Sequence, residues 1–333
     1  MSAAIRTDAL TKDYAVGFWR KRPYRALEAL TLEVPAGEVF GFLGPNGAGK
    51  TTTLKLLMQL IYPTSGHAEI LGRPAGDVAT RRRIGYLPEN PYFYDYLTAE
   101  ELLHYFGRLF GFARADRRRR VDALLDRVGI GGERRLQLRK FSKGMLQRVG
   151  IAQALLNDPE VVFLDEPMSG LDPIGRRDVR ALILDLRDQG RTVFFSSHIL
   201  ADAEALCGRV AIVAAGRLAA IGRLSDLHAF QARGWEMVVA GLTPEVVARL
   251  APGVSRATAI SPGRYTFELS LSQPPEALLP DLAAAGGSLV SLNPLRDSLE
   301  DFFMQRVAAV GRGARGEAQG DAGGPGAAAG SGA

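Results

Sequence analysis

A glycine-rich segment near the N-terminus has the residue types and the spacing of a phosphate-binding loop. Its residues are Gly44, Pro45, Asn46, Gly47, Ala48, Gly49, Lys50 and Thr51, followed by Thr52. Glycines let backbone N–H groups approach phosphates closely, Lys50 would reach the β- and γ-phosphates, and the Thr51 hydroxyl would hold Mg²⁺. A glycine-rich turn without a ligand is the alternative, but it leaves the complete spacing unexplained. The segment predicts a site for a nucleoside triphosphate with Mg²⁺.

The residues on both sides of the loop predict the elements that position it. Residues 38–43 form a short apolar run typical of a buried strand, and residues 52–60 have the pattern of a helix. Strand, loop and helix in this order are the context in which the motif binds phosphate. The N-terminus of the helix would add partial positive charge.

Two carboxylates follow a second apolar run. Residues 161–164 are apolar, and Asp165 and Glu166 come directly after them. Because ligands bind at the carboxyl ends of parallel strands, both side chains are expected at the phosphate site. Asp165 is predicted to hold Mg²⁺, and Glu166 to orient and deprotonate an attacking water. Two solvated acids that cap a strand are the alternative.

The composition indicates about two domains and no membrane span. The 333 residues are 47% hydrophobic and 23% charged, and no run approaches the roughly 18 consecutive apolar residues of a transmembrane helix. The first residues lack the apolar stretch of a signal peptide, so we expect a cytoplasmic protein. Cys207 is the only cysteine, which excludes an internal disulfide and indicates a buried or inert thiol.

The formal net charge is +5, and arginine is concentrated in clusters at residues 81–83, 117–120 and 134–135. Such clusters suggest a polyanion or a membrane surface as partner. We favour a simpler interpretation, in which residues 114–127 form the solvated face of an amphipathic helix. The apolar face of this helix would carry Val121, Leu124, Leu125 and Val128.

The order of the patterns predicts the domain organisation. Alternating strands and helices between residues 40 and 213 predict an α/β P-loop NTPase sheet domain over residues 1–222, with a helical insertion at about 91–150. Residues 223–309 have the order βαββαβ, which suggests a small ferredoxin-like α+β domain. The Gly- and Ala-rich residues 310–333 have few apolar side chains, and we expect a disordered tail.

The segment between the two nucleotide motifs resembles the signature of one family. Its sequence is Phe141-Ser142-Lys143-Gly144-Met145-Leu146-Gln147-Arg148. It is similar to the signature, usually written LSGGQ, of the nucleotide-binding subunits of ATP-binding cassette (ABC) transporters. The resemblance implies that residues 142–145 open a helix that faces the γ-phosphate held by the other subunit of a head-to-tail dimer. Taken alone, Ser142 would more simply be a helix N-cap.

Two further segments follow in the order of the same family. Ser169-Gly170-Leu171-Asp172 resembles the D-loop, in which Asp172 would lie near the nucleotide across the dimer interface. His198, after an apolar strand at 192–196, resembles the switch histidine that contacts the γ-phosphate. The resemblance implies that the nucleotide is ATP and that Lys50, Glu166 and His198 take part in catalysis.

The sequence departs from the family at two sites. Glu89 stands where the Q-loop of the family has a glutamine that coordinates Mg²⁺, and its carboxylate can also ligate this hard cation. Within the signature, Lys143 and Met145 replace the commoner Gly and Gln. The same variations are familiar in subunits that serve exporters with separate permeases.

The residue that stacks on the adenine is ambiguous in the sequence. Tyr14 matches the family position best, and the other aromatic residues nearby are Phe18, Trp19 and Tyr24. Residues 16–25 are longer than the usual turn of the family. They are predicted to form a basic, aromatic loop that extends the site or touches a neighbour.

The resemblance implies an ATP hydrolase that powers an exporter. Two chains, identical or with a related ATPase as partner, would close on two ATP molecules and separate after hydrolysis. The movement would pass to an integral membrane permease. The protein would then be a peripheral subunit on the cytoplasmic side of the cell membrane.

Two other classes of protein share the phosphate loop. Soluble, non-transport ABC ATPases that act on ribosomes or nucleic acid usually carry two cassettes or a long coiled coil, and neither is present. The arginine clusters lack interleaved aromatic residues, so they do not favour a nucleic-acid partner. A nucleotide kinase or a GTPase would leave the signature, the D-loop and the switch histidine unexplained.

Overall fold

The structure is a computed structural model that describes residues 3–17, 21–228 and 232–296, and residues 303, 304 and 308. Its strands are β1 (Ala3–Val16), β2 (Arg22–Pro35), β3 (Val39–Leu43), β4 (Ser65–Ile70), β5 (Arg73–Pro74), β6 (Ile84–Leu87), β7 (Val161–Asp165), β8 (Thr192–Ser197), β9 (Arg209–Ala214), β10 (Arg217–Arg223), β11 (Ala232–Ala240), β12 (Arg256–Ser261), β13 (Arg264–Ser270) and β14 (Ser288–Arg296). Its α-helices are α1 (Lys50–Leu57), α2 (Val78–Arg81), α3 (Ala99–Leu109), α4 (Arg114–Arg127), α5 (Lys143–Leu155), α6 (Pro173–Asp188), α7 (Leu200–Leu206), α8 (Leu224–His228), α9 (Pro244–Leu250) and α10 (Leu279–Ala284).

The described residues form two compact units, which divide after Leu224. In the first unit, a sheet of six strands has the order β10-β9-β3-β8-β7-β6. Its neighbouring strands are parallel except for the pair of β9 and β10. A second, antiparallel sheet has the order β2-β1-β4-β5. The mixed α/β architecture confirms the predicted fold class.

The core of the first unit lies on the central parallel strands. β3 and β7 are buried along their whole length, as expected for parallel strands that are covered on both faces. The ring of Phe194 on β8 lies 5.6 Å from that of Phe40, 5.3 Å from that of Phe42 and 5.7 Å from that of Phe163, between centroids. This aromatic cluster fixes the strands whose carboxyl ends carry the predicted site.

Helices α3, α4 and α5 lie between β6 and β7, in the region predicted as a helical insertion. A capping box of Thr98 and Glu101 begins α3. α4 has the predicted amphipathic character, since Val121, Leu124 and Leu125 are buried. The arginine clusters nearby pair with acids, because Arg134 contacts both Glu100 and Asp122. In the described structure these arginines therefore have local partners.

The second unit, from Ser225 to Met304, runs β11-α9-β12-β13-α10-β14, which is the βαββαβ order. Its four strands form an antiparallel sheet with the order β12-β13-β11-β14. Met237 and Phe267 are buried against residues of α9 and α10, and Trp235 and Tyr265 pack on the same cluster. The aromatic residues of this unit therefore belong to its core. Residues 310–333, predicted as a disordered tail, lie outside the described residues.

The prediction of a loop over residues 16–25 is wrong at both of its ends, where the structure has strands. β1 continues to Val16 and β2 begins at Arg22, so the segment extends a β-hairpin. Asp13 and Arg25 pair across it by two hydrogen bonds of 2.9 and 3.1 Å, and β2 is an edge strand, where Pro23 is tolerated. Residues 18–20, with Phe18 and Trp19, lie outside the described residues.

The antiparallel sheet of the first unit was not predicted at all, because its strands lack the continuous apolar runs of β3 and β7. Among the described residues, no helix has the length and the apolar character needed to cross a bilayer.

Candidate nucleotide site

The glycine-rich loop connects β3 to α1, and its backbone explains its glycines. Gly49 has a φ of 103°, in the left-handed region that favours glycine. A Cβ on Gly44 would lie 2.5 Å from the carbonyl oxygen of Val213. α1 begins at Lys50, two residues before the predicted start, and its N-terminus has no side-chain cap and no acidic residue in its first turn. Its free N–H groups are suited to bind an anion.

Lys50 holds its ammonium group inside the loop. Its Nζ donates hydrogen bonds to the carbonyl oxygens of Gly44 at 2.7 Å and Pro45 at 3.3 Å. The same Nζ lies 3.3 Å from Oε1 of Glu166. The side chain is buried, so its charge faces the loop carbonyls and the carboxylate.

Asp165 ends β7 beside Ser196 of β8, because the parallel register pairs the two residues. The hydroxyl of Ser196 donates to Oδ1 of Asp165 at 2.6 Å. Burial raises the pKa of Asp165, the hydrogen bond from Ser196 opposes this shift, and the charges of Glu89 and Glu166 add to it. Its Oδ2 is buried with no hydrogen-bond partner among the described residues. A buried carboxylate oxygen without a partner fits a hard cation such as Mg²⁺.

Glu166 has a strained backbone and a closely held carboxylate. Its φ of 50° lies in the left-handed region, which is uncommon for a residue other than glycine and is often found at functional sites. Its backbone N–H donates to the hydroxyl of Ser196 at 3.0 Å. Its Oε2 lies 2.9 Å from Nδ1 of His198. The carboxylate thus lies between Lys50 and His198, and its role as a general base stays a prediction.

A cleft of about 450 Å³ gathers predicted residues from distant parts of the first unit. The predicted residues that line it are Tyr14, Asn46, Gly47, Ala48, Gly49, Lys50, Thr51, Thr52, Glu89, Glu166 and His198. Gly44 and Pro45 lie next to it, where their carbonyls hold Lys50. Tyr24, one of the aromatic residues considered for the adenine, also lines the cleft. Ala26 and Ser169 line it as well, and they were not predicted to do so.

The signature and the D-loop line a different cleft, of about 350 Å³. Ser142 caps α5, since its hydroxyl oxygen accepts a hydrogen bond from the N–H of Met145 at 3.2 Å. Asp172 caps α6 and accepts from the N–H of Gly175 at 2.7 Å. The cap function considered for Ser142 is therefore present, and its hydroxyl proton remains available to donate to a ligand. Lys143 and Gly144 line the same cleft.

Two residues with evident structural roles were missed in the sequence. Ser196 bridges Asp165 and Glu166, a role that only the pairing of β7 with β8 reveals. Gln147, on α5, donates from Nε2 to the carbonyl oxygen of Pro167 at 3.1 Å, so the signature helix holds the turn that follows Glu166. The burial of this glutamine cannot be read from the sequence, so no local signal indicated the contact.

With this geometry established, the chain can be compared with known proteins. Residues 27–169 match the family described as ABC transporter. An ABC transporter ATP-binding protein of Synechocystis sp. is 47% identical over 305 residues, which are 91% of this chain and 84% of that protein. The chain belongs to the ABC transporter ATP-binding proteins.

Two further comparisons describe what this ABC ATPase resembles. A fluoroquinolones export ATP-binding protein of Mycobacterium tuberculosis is 38% identical, over 70% of this chain and 76% of that one. A solved ATP-binding cassette, dimeric and bound to ADP and Pi after hydrolysis, is 26% identical with a TM-score of 0.61 and covers 66% of this chain and 98% of that chain. The ABC ATPase binds and hydrolyses ATP, as predicted, and such subunits function with a separate membrane permease.

Proposed function

We propose that this ABC ATPase drives export by closing head-to-tail on a second copy of itself, with ATP between the two chains. The observation that carries the proposal is the division of the predicted residues between two clefts. The phosphate loop, Glu166 and His198 line one of them, and residues 142–144 with Asp172 line the other. One chain therefore presents two half-sites, which a second chain can complete.

Each half-site has the charge that its task requires. In the first, the loop N–H groups, the N-terminus of α1 and Lys50 bind the phosphates. In the second, α5 has no acidic residue in its first turn and begins with Lys143, so it presents a positive end to an anion. Ser142 and the backbone of Gly144 would donate to the γ-phosphate of the opposite chain.

Thr51 and Asp165 would hold Mg²⁺, and Glu89 would complete the set from the edge of the cleft. When it is bound, the cation neutralises the negative charge of the phosphate oxygens. The unpartnered Oδ2 of Asp165 supports this assignment. Tyr14 is proposed to stack on the adenine.

Glu166 is proposed to accept a proton from the attacking water. Its carboxylate lies 3.3 Å from the ammonium of Lys50, and this contact must lengthen when the ammonium binds phosphate. The carboxylate then keeps its contact with His198. His198 would then orient Glu166 and sense the γ-phosphate at the exposed side of the cleft.

We propose a peripheral position on the cytoplasmic side of the cell membrane, against an integral membrane permease. The export subunit of Mycobacterium tuberculosis supports export rather than action on ribosomes or nucleic acid. Residues 1–222 would carry the ATPase, in keeping with the division of the compact units after Leu224, and residues 223–309 would form an accessory domain.

The test is Glu166→Gln, which keeps the size of the side chain but cannot accept the proton. We expect ATP hydrolysis to fall by about a hundredfold or more. Light scattering after gel filtration with ATP and Mg²⁺ should show twice the chain mass of 35.8 kDa. Glu276→Gln, on the exposed surface of the second unit, is the matched control and should hydrolyse ATP normally. Wild-type turnover in Glu166→Gln, or a monomer at saturating ATP, would reject the proposal.

A further inference from the structure

The hairpin of β1 and β2 carries two tyrosines on one face. The antiparallel register pairs Tyr14 with Tyr24, and directly paired residues project to the same side of a sheet. Both line the cleft of the phosphate loop, and Tyr24 is 52% exposed there. We propose that Tyr24 is a second base-binding residue, which forms with Tyr14 a two-ring wall for the adenine of ATP. The inference deepens the proposed function and rests on the same nucleotide site.

The strand that carries Tyr24 is packed directly on the phosphate loop. Ala26, two residues further along β2, is 7% exposed and lines the same cleft. A Cβ on Gly49 would lie 2.7 Å from the carbonyl oxygen of Ala26, so the strand and the loop are in close contact. Two residues of a strand span about 6.6 Å. Tyr24 is therefore placed next to the phosphate loop.

Contacts on both strands stabilise the hairpin around the two tyrosines. On the opposite face of the hairpin, Arg25 makes two hydrogen bonds to Asp13 and lies 3.6 Å from Glu28. On the tyrosine face, Nζ of Lys12 lies 5.3 Å from the ring centroid of Tyr14. The hairpin is thus held at the pair of Asp13 and Arg25, directly next to the pair of tyrosines.

The chemistry of the wall fits a base and not a phosphate. Phenol rings bind the face of a nucleobase by stacking, and they offer no positive charge to an anion. Loss of one ring should therefore weaken ATP binding while leaving the binding of a triphosphate without a base unchanged. A residue that only supported the hairpin would affect both ligands together, since the hairpin packs on the loop.

Isothermal titration of the full chain with MgATP and with inorganic tripolyphosphate tests this. For Tyr24→Ala we expect MgATP to bind about five- to thirtyfold more weakly, within the range known for base stacking on an aromatic ring. Tripolyphosphate should bind within about twofold of the wild type, and Tyr24→Phe should restore MgATP binding because the ring is sufficient. Tyr92→Ala, a fully exposed tyrosine outside the cleft, is the control and should match the wild type.

Three results would overturn the inference. In the first, Tyr24→Ala binds MgATP as the wild type does; in the second, it loses MgATP and tripolyphosphate to the same degree. In the third, Tyr24→Phe is as weak as Tyr24→Ala. Failure of the wild type to bind either ligand would instead refute the nucleotide site itself, so the two failures are distinguishable.

Discussion

Replacing Ser196 by alanine removes one hydroxyl that serves both carboxylates of the site. This hydroxyl donates to Asp165 at 2.6 Å and accepts from the backbone N–H of Glu166 at 3.0 Å. Ser196 is fully buried, so no solvent replaces the lost contacts. Because alanine is smaller by one oxygen atom, the packing around it is otherwise kept.

The expected cost follows from the two hydrogen bonds. A bond to a charged group contributes about 1.5–3 kcal/mol and a neutral one about 1 kcal/mol. The free energy of unfolding should therefore fall by about 2–4 kcal/mol. ATP hydrolysis should fall by about tenfold or more, because an error in the placement of either carboxylate raises the barrier by at least about 1.4 kcal/mol.

The loss of stability should depend on pH. Burial raises the pKa of Asp165 above its ordinary value of 3.8, so the ionised carboxylate destabilises the folded chain above the folded pKa. This penalty disappears as the pH falls below the unfolded pKa. Since the Ser196 hydrogen bond lowers the pKa of Asp165, its removal raises that pKa further. The deficit of the variant should be largest above the folded pKa of Asp165 and shrink as the pH falls below it.

Urea unfolding at pH 7 and pH 5, together with steady-state ATP hydrolysis, measures these effects. Ser197→Ala is the matched control, since Ser197 is a buried serine of the same strand whose hydroxyl forms hydrogen bonds with the backbone of Ile199. Equal activity in the Ser196→Ala and Ser197→Ala variants would refute the role assigned to Ser196. So would a deficit in stability that grows as the pH falls.

Two other changes address the switch residue and the loop. His198→Ala removes the 2.9 Å contact to Glu166 and should lower hydrolysis by about tenfold to a thousandfold with little change in ATP affinity measured by titration; unchanged hydrolysis would exclude this role. Gly44→Ala places a Cβ 2.5 Å from a backbone carbonyl and should cost about 1–3 kcal/mol of stability. Gly132→Ala, where no atom lies within 4 Å of the new Cβ, should leave the melting temperature almost unchanged, and equal losses in both variants would contradict the steric argument.

The sequence was sufficient for the parts of the site that depend on local spacing. The phosphate loop and the pair Asp165 and Glu166 lie at strand ends that their apolar runs predict, so their meeting in space follows from the parallel sheet. The parts that sequence reasoning missed depend on pairing between distant strands. Ser196 acquires its role only through the register with Asp165.

The hairpin was missed for a related reason. Its outer residues are charged, aromatic or proline, which is typical of a loop, and their strand character comes from cross-strand pairs such as Asp13 with Arg25. No local pattern in the sequence predicts these cross-strand pairs. Tyr24 therefore remained one of several aromatic candidates in the sequence, although the register places it beside Tyr14.

The most direct measurement of the composite site uses a mixture of two inactive chains. Lys50→Ala removes the charge of the phosphate loop, and Ser142→Asp keeps an N-cap residue on α5 but sets a carboxylate against the γ-phosphate of the other chain. Each variant alone should be inactive, because both of its sites are damaged. A mixed dimer, however, contains one site with the intact loop of one chain and the intact signature of the other.

Single-turnover hydrolysis of ATP by the two variants, separately and in an equimolar mixture, decides the question. If each site is built from two chains in head-to-tail order, the mixture regains hydrolysis that neither variant shows. If each chain forms its site alone, the mixture hydrolyses ATP no faster than the mean of the two separate samples, and the head-to-tail arrangement is wrong.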